Sequence, residues 1–287
     1  MRYLVLSSLA AAALAADCTR ELLKGVTDSL VAAHTAGDPG LLKPVADTVE
    51  YTENFKTATL KTGILSRAMK PDHVRSSLDT TQCATYTELI FATNAKPYVV
   101  GVQLHLKDAK VAKVEELFTT TGDWLFNATG TLNWASKEDW GTIPEAKRDT
   151  RAVIQAAADA YLDIFSDKSV KVPWGTPCAR LEGGIYTGKG APDDSCAVGI
   201  PDNVKLTNRR YVIDETVGAV DVFLTFGSNL PDSHEFRVEG GKLRFVHTIT
   251  FMDGSPGPGG AKGKGKGAPK GKGTQGAGGF VRMIRGV

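Results

Sequence analysis

The chain has 287 residues, 42% of them hydrophobic and 23% charged, with a formal net charge of +2. Residues 254–287 carry seven Lys or Arg and no acid, which leaves the first 253 residues with 27 basic against 32 acidic side chains, a net of −5. A mildly acidic body argues against nucleic-acid recognition, which needs a basic surface, and no segment approaches the roughly 18 apolar residues of a membrane-spanning helix.

In chain order, residues 1–16 read as a secretory signal, with one Arg, an apolar run from Tyr3 to Leu14, and Ala13 and Ala15 in the A-x-A arrangement of a cleavage site. The mature chain is therefore expected outside the cell, where an even number of thiols pairs. Cys18, Cys83, Cys178 and Cys196 allow three pairings. Cys18 with Cys83 and Cys178 with Cys196 is favoured, because each bridge then stays within one half of the chain. Each would contribute about 3–4 kcal/mol. The spacings lack a close Cys-x2-Cys pair and a histidine to complete one, so no metal is assigned.

An amphipathic helix is expected from Asp17 as N-cap to about Ala33, with Leu22, Leu23, Val26 and Leu30 on one face. Gly37-Asp38-Pro39-Gly40 ends it. A strand around Val49–Glu53 follows, then antiparallel strands at Ala84–Thr93, Tyr98–Leu106 and Val111–Thr119. Between Thr120 and Trp140 the periodicity dissolves, which marks a boundary, and the sequon Asn127-Ala-Thr129 places it at the surface. The next unit opens with Thr142-Ile-Pro-Glu145, a capping box, before a helix bearing Val153, Ile154, Ala157, Tyr161 and Phe165. Strands at Arg210–Asp214 and Ala219–Phe226 precede a hairpin over Ser233–Phe251, turned at Gly240-Gly241. The Gly- and Lys-rich tail has almost nothing apolar to bury and is expected to be disordered, with a charge suited to anionic surfaces.

Two stretches repeat one another. Arg75-x3-Asp79 in RSSLDTTQCATYTELI aligns without gaps on Arg210-x3-Asp214 in RRYVIDETVGAVDVFL, with Leu78 on Ile213, Ala84 on Ala219 and Leu89 on Leu224. The chain therefore divides into a signal (1–16), a first domain (17–122), a linker (123–141), a second domain (142–252) and the tail (253–287). Each domain is expected to be α+β, with helices packed on a curved antiparallel sheet.

That order of helix, short strand, helical turns and long antiparallel strands resembles the NTF2-like (SnoaL-like, ketosteroid-isomerase-like) cone fold in both halves. The second half is also similar to an uncharacterised family of secreted fungal proteins, through VPWGTPCARLEGG at 172–184, RRYVIDETVGAV at 209–220 and HEFRVEGGKLRFVHTITF at 234–251. The resemblance implies an apolar cavity at least in the second half. It implies no particular chemistry, because NTF2-like domains serve as isomerases, dehydratases, cyclases and non-catalytic binders.

Extending the hairpin from its turn puts His234 opposite His247, on the face of Phe236 and Phe245. Two imidazoles in an apolar cone suit general acid–base work, with Asp214, Asp221 or Glu182 as carboxylate partner. Asp79 and Asp214 hold equivalent positions, so a structural pairing or an Asx-turn at a strand end explains them better than one active site does. Asp221 needs a partner if it points inward, and strand parity leaves its direction open. Glu182 precedes Gly183-Gly184, near Arg180 and Trp174, which form either a pocket lip or plain core. Tyr51, Asn54, Tyr86, Glu88 and His105 supply polar groups without a defined constellation. The expected function is binding of a small hydrophobic molecule, either by an isomerase, dehydratase or cyclase that needs no cofactor, or by a non-catalytic binding or cell-surface protein.

Overall fold

The computed structural model describes residues 18–253; the expected signal and almost the whole of the tail lie outside them. Helix α1 (Arg20–Ala36) starts where the Thr19 hydroxyl accepts a hydrogen bond from the Leu22 N–H at 3.1 Å, and stops at Gly37, whose φ of 65° suits glycine. The cap is thus Thr19, not Asp17. Leu23, Val26, Leu30 and Ala33 form its buried stripe and lie on the concave face of a six-stranded sheet. Strands β1 (Val45–Glu53), β2 (Lys56–Thr57), β3 (His73–Asp79), β4 (Ala84–Phe91), β5 (Tyr98–Lys107) and β6 (Lys110–Thr119) take the order β2-β1-β6-β5-β4-β3.

The second unit repeats this order. Helix α3 (Arg151–Asp163) packs Ile154, Ala157, Ala158, Tyr161 and Leu162 on a sheet of β7 (Trp174–Glu182), β8 (Ile185–Tyr186), β9 (Leu206–Asp214), β10 (Ala219–Phe226), β11 (Leu230–Glu239) and β12 (Lys242–Thr250), ordered β8-β7-β12-β11-β10-β9. The protein is α+β, with two tandem units of one topology. Neither sheet is wholly antiparallel, because β1 runs parallel to β6 and β7 runs parallel to β12. The first strand of each unit closes against the last, a long-range pairing that local pattern does not reveal.

Two further expectations are revised. Thr142 to Glu145 lead only into a single 3₁₀ turn (Glu145–Lys147), and Thr150 is the cap of α3, accepting from the Val153 N–H at 3.4 Å. The presumed linker contains helix α2 (Ala128–Ala135), which packs against β4 and β5 of the first unit and β7 and β8 of the second. Both disulfides are those favoured, Cys18–Cys83 and Cys178–Cys196. No helix among the described residues is long and apolar enough to cross a membrane.

The convex faces of the two sheets meet in a seam whose apolar part joins Ala84, Tyr86 and Val99 to Val212, Phe223 and Ile249. Its ends are fastened symmetrically. The Arg20 guanidinium at the start of α1 bonds both carboxylate oxygens of Asp214, at 2.6 and 3.0 Å, while Arg151 at the start of α3 bonds both oxygens of Asp79, at 2.8 and 2.7 Å. Each carboxylate also accepts a backbone N–H from the other unit at 2.9 Å, Asp214 from Leu78 and Asp79 from Ile213. The duplicated aspartates are therefore structural, and their arginine partners are not the Arg75 and Arg210 of the repeat.

Candidate functional site

The hairpin β11–β12 determines which side chains share a cone. Gly240 and Gly241, with φ of 57° and 69°, make the two-residue turn that puts Val238 opposite Leu243, as the sequence indicates. Arg244 is then an extra residue, because Arg237 pairs with Phe245. Such a bulge advances the register by one and sends every later side chain of β12 to the other face. His234 consequently lies opposite Thr248, and His247 lies opposite Glu235. The two histidines do not face one another, and the facing-imidazole arrangement is corrected accordingly. The first unit has the same bulge, at Ala112 between β5 and β6.

His234 stays inside the second cone. Its ring lies against Tyr161, Phe165 and Phe236, with centroids 5.7, 6.2 and 6.0 Å away. Nδ1 is 2.8 Å from Asp232 Oδ2, although the pair is out of line for a hydrogen bond. The other oxygen of Asp232 accepts from Thr250 Oγ1 at 2.8 Å. Burial pushes the Asp232 carboxyl up from its ordinary value, against the pull of His234. Arg180 on β7, 1% exposed, donates through Nη1 to the Tyr161 hydroxyl at 3.2 Å. Its Nε stands 3.5 Å from Glu182 Oε1, and neither Nε nor Nη2 has a hydrogen-bond partner. Burial drives the Tyr161 hydroxyl far above its usual pKa, with Arg180 opposing. Trp124, Phe165, Pro201 and Phe226 wall these groups in, around a cavity of about 10 Å³, room for one water. Trp174 is core, edge-on to Tyr161 at 5.8 Å.

The corresponding place in the first cone is filled by a different polar cluster. The Tyr51 hydroxyl lies 2.6 Å from Glu53 and 3.0 Å from Glu116, and His34 Nε2 is 3.2 Å from Glu116. The units share a frame and differ in chemistry.

His247, Asp221 and Asp214 all belong to the seam. His247 Nδ1 is 2.9 Å from Glu88 and Nε2 is 2.6 Å from Glu138, the latter from the connecting stretch. Burial alone would lower this imidazole, but the two carboxylates hold it up at about 10. Glu88 and Glu138 are held down in return: burial raises both, and the imidazole beside them overrides it. Arg75 completes the cluster, 2.8 Å from Glu88, 2.7 Å from Glu235 and 3.7 Å above the Trp140 ring. Glu88, Glu235 and His247 bring ligand atoms within 4.8 Å of one another, a spacing a metal ion accepts. The Arg75 guanidinium is already ion-paired with Glu88 and Glu235 and takes the cation's place. Asp221 accepts from Ser233 and from Gln103 of the other unit, each at 2.6 Å, and burial beside Glu235 raises its carboxyl well above the ordinary range.

Of the sequence candidates, the structure therefore brings His234 and Glu182 into one cone and leaves His247, Asp214 and Asp221 out of it. Asp232, Arg180 and Tyr161 are additions. The signal for Asp232 was available, since a carboxylate two residues before His234 on a strand shares its face. No curated protein matches the chain. A domain of unknown function, DUF8021, matches residues 147–250, from the turn before α3 to the end of β12.

Proposed function

We propose that this is a secreted protein that takes a small molecule into its second cone, where Asp232 and His234 act as an acid–base pair without a cofactor. The observation that carries this reading is the convergence of buried, incompletely bonded polar groups on one apolar-walled space. Arg180 Nε and Nη2, His234 Nδ1, Asp232 Oδ2 and Thr248 Oγ1 are all buried without a hydrogen-bond partner. Such groups are costly unless something completes them.

With Nδ1 turned to Asp232, Nε2 is the nitrogen left to exchange a proton with a ligand. Arg180 supplies a fixed positive charge for an oxygen that becomes negative during the reaction, in a site from which water is largely excluded. The aromatic wall suits an apolar body. The ligand class is therefore a small, mainly apolar molecule bearing a carbonyl or carboxylate, and the reaction class is proton transfer next to that group, as in an isomerase, dehydratase or cyclase. Entry requires the wall to yield, and Pro201 lies on the long connection between β8 and β9, where the chain has no regular structure.

A second reading, a non-catalytic secreted binding or surface protein, is favoured by the size of the space, which admits one water. Native mass spectrometry of protein collected from the medium separates the two. A co-purifying small molecule is expected on the wild type and absent from His234→Gln and Arg180→Met, with the fold retained by circular dichroism. A bare wild type, or an adduct that survives both substitutions, removes the cone site and leaves the second reading.

A further inference from the structure

We propose that Asn127 carries an N-linked glycan whose attachment leaves the helix cap beneath it intact. The modification depends on entry into the secretory pathway and not on any ligand in the cone. Asn127-Ala-Thr129 is the single N-x-[ST] sequence of the chain. Both its polar residues are exposed and Ala128 between them is buried, so the backbone is anchored while the acceptor faces solvent.

The two ends of the Asn127 amide have different tasks. Oδ1 caps α2 by accepting from the Gly130 N–H at 3.0 Å, which assigns the oxygen, since a backbone N–H needs an acceptor. Nδ2 donates to nothing among the described residues. The space next to it is kept clear by Gly130, where a Cβ would lie 2.8 Å from Nδ2. In the transfer, Nδ2 forms a bond to C1 of an oligosaccharide carried on a polyprenyl pyrophosphate. The C1–O bond to the pyrophosphate breaks, one amide proton is lost, and nothing is oxidised or reduced. The product retains Oδ1 as acceptor and one N–H.

The glycan would also have a defined neighbour. The Asn127 N–H donates to the Gly183 carbonyl at 2.7 Å, and a Cβ on Gly184 would lie 2.7 Å from Asn127 Cβ. The sugar is thus rooted against the turn that follows Glu182, beside the wall of the second cone.

The test uses the full chain collected from the medium of a eukaryotic secretory host. Treatment with an amidase that hydrolyses the Cγ–Nδ2 bond of the glycosylated asparagine is expected to lower the intact mass in one step and leave Asp at position 127 on peptide mapping. Thr129→Ala is expected to lack the mass drop and the conversion. Because the glycan spares the cap, the untreated, glycosylated wild type should melt no lower than Thr129→Ala, whose Asn127 caps α2 without a sugar. An unmodified Asn127 in secreted wild-type protein, or a chain retained unglycosylated in the cells, overturns the proposal. A glycosylated wild type that melts well below Thr129→Ala overturns the intact-cap part of it.

Discussion

His247 binds three separate stretches of the chain, because its two ring nitrogens reach Glu88 in the first unit and Glu138 in the connection while the residue itself sits on β12. A doubly engaged imidazole of this kind is worth most when charged. Its pKa is raised from 6.5 to about 10, so its contribution is complete below pH 6.5 and is lost as the pH climbs through about 10. Urea unfolding should show stability falling across that window, by on the order of 3 kcal/mol. His247→Gln should be weaker at pH 6 and nearly flat over the same range. A wild type equally stable at pH 6 and pH 10 would contradict the assignment. Asp232 has the same sign at lower pH: its carboxyl is raised by burial, so the cone loses stability as the pH rises past the ordinary carboxylate value. That tendency is what a group held ready to give up a proton displays.

At the scale of the element, the bulge at Arg244 decides more than any side chain in the hairpin. Deleting Arg244 removes only the extra residue and leaves Phe245 opposite Arg237, Val246 opposite Phe236 and His247 opposite Glu235, so every later side chain keeps its face. The deletion variant is expected to keep one cooperative thermal transition at a cost of about 1–2 kcal/mol; failure to fold would show that Arg244 does more than shift the register. This is also the point at which the sequence stops being legible. Alternation and the Gly240-Gly241 turn suffice to place β11, β12 and the pairs next to the turn, and the repeat of Arg75 and Asp79 on Arg210 and Asp214 suffices to predict two units. One unpaired residue on an edge of the turn leaves no mark in hydrophobic pattern, because Arg244 reads as an ordinary outward strand residue. The error it causes propagates to His247 and no further back than Arg237. Asp221 illustrates a second limit: its parity was known, but which face of the sheet met the other unit was not. Helix α2 was invisible for a simpler reason, since eight residues with Gly130 and two threonines among them carry a weak helical period.

The whole molecule is an internal dimer. Arg20 with Asp214 and Arg151 with Asp79 are related by the same exchange of units as the strands that carry them. Equivalent surroundings imply equivalent energies. Asp79→Ala and Asp214→Ala should each cost about 2–4 kcal/mol in urea unfolding, because each removes a buried acceptor from an arginine and from a backbone N–H. The two costs should agree within about 1 kcal/mol, and unfolding of either variant should remain a single transition by fluorescence and circular dichroism together. Transitions that separate would mean that the units fold independently and only touch.

The crossed aspartates have one more effect, on what the protein refuses to do. A sheet ends in a row of unsatisfied donors and acceptors that invites another chain to add on. Here β3 and β9, the long terminal strands, turn toward each other, and the Leu78 and Ile213 amides are stoppered by the opposite carboxylates. The opposite rims carry β2 and β8, two residues each, which cover only Thr52 and Glu53 of β1 and Leu181 and Glu182 of β7. Among the described residues, the crossed aspartates thus close the β3 and β9 rims against a strand arriving from another molecule.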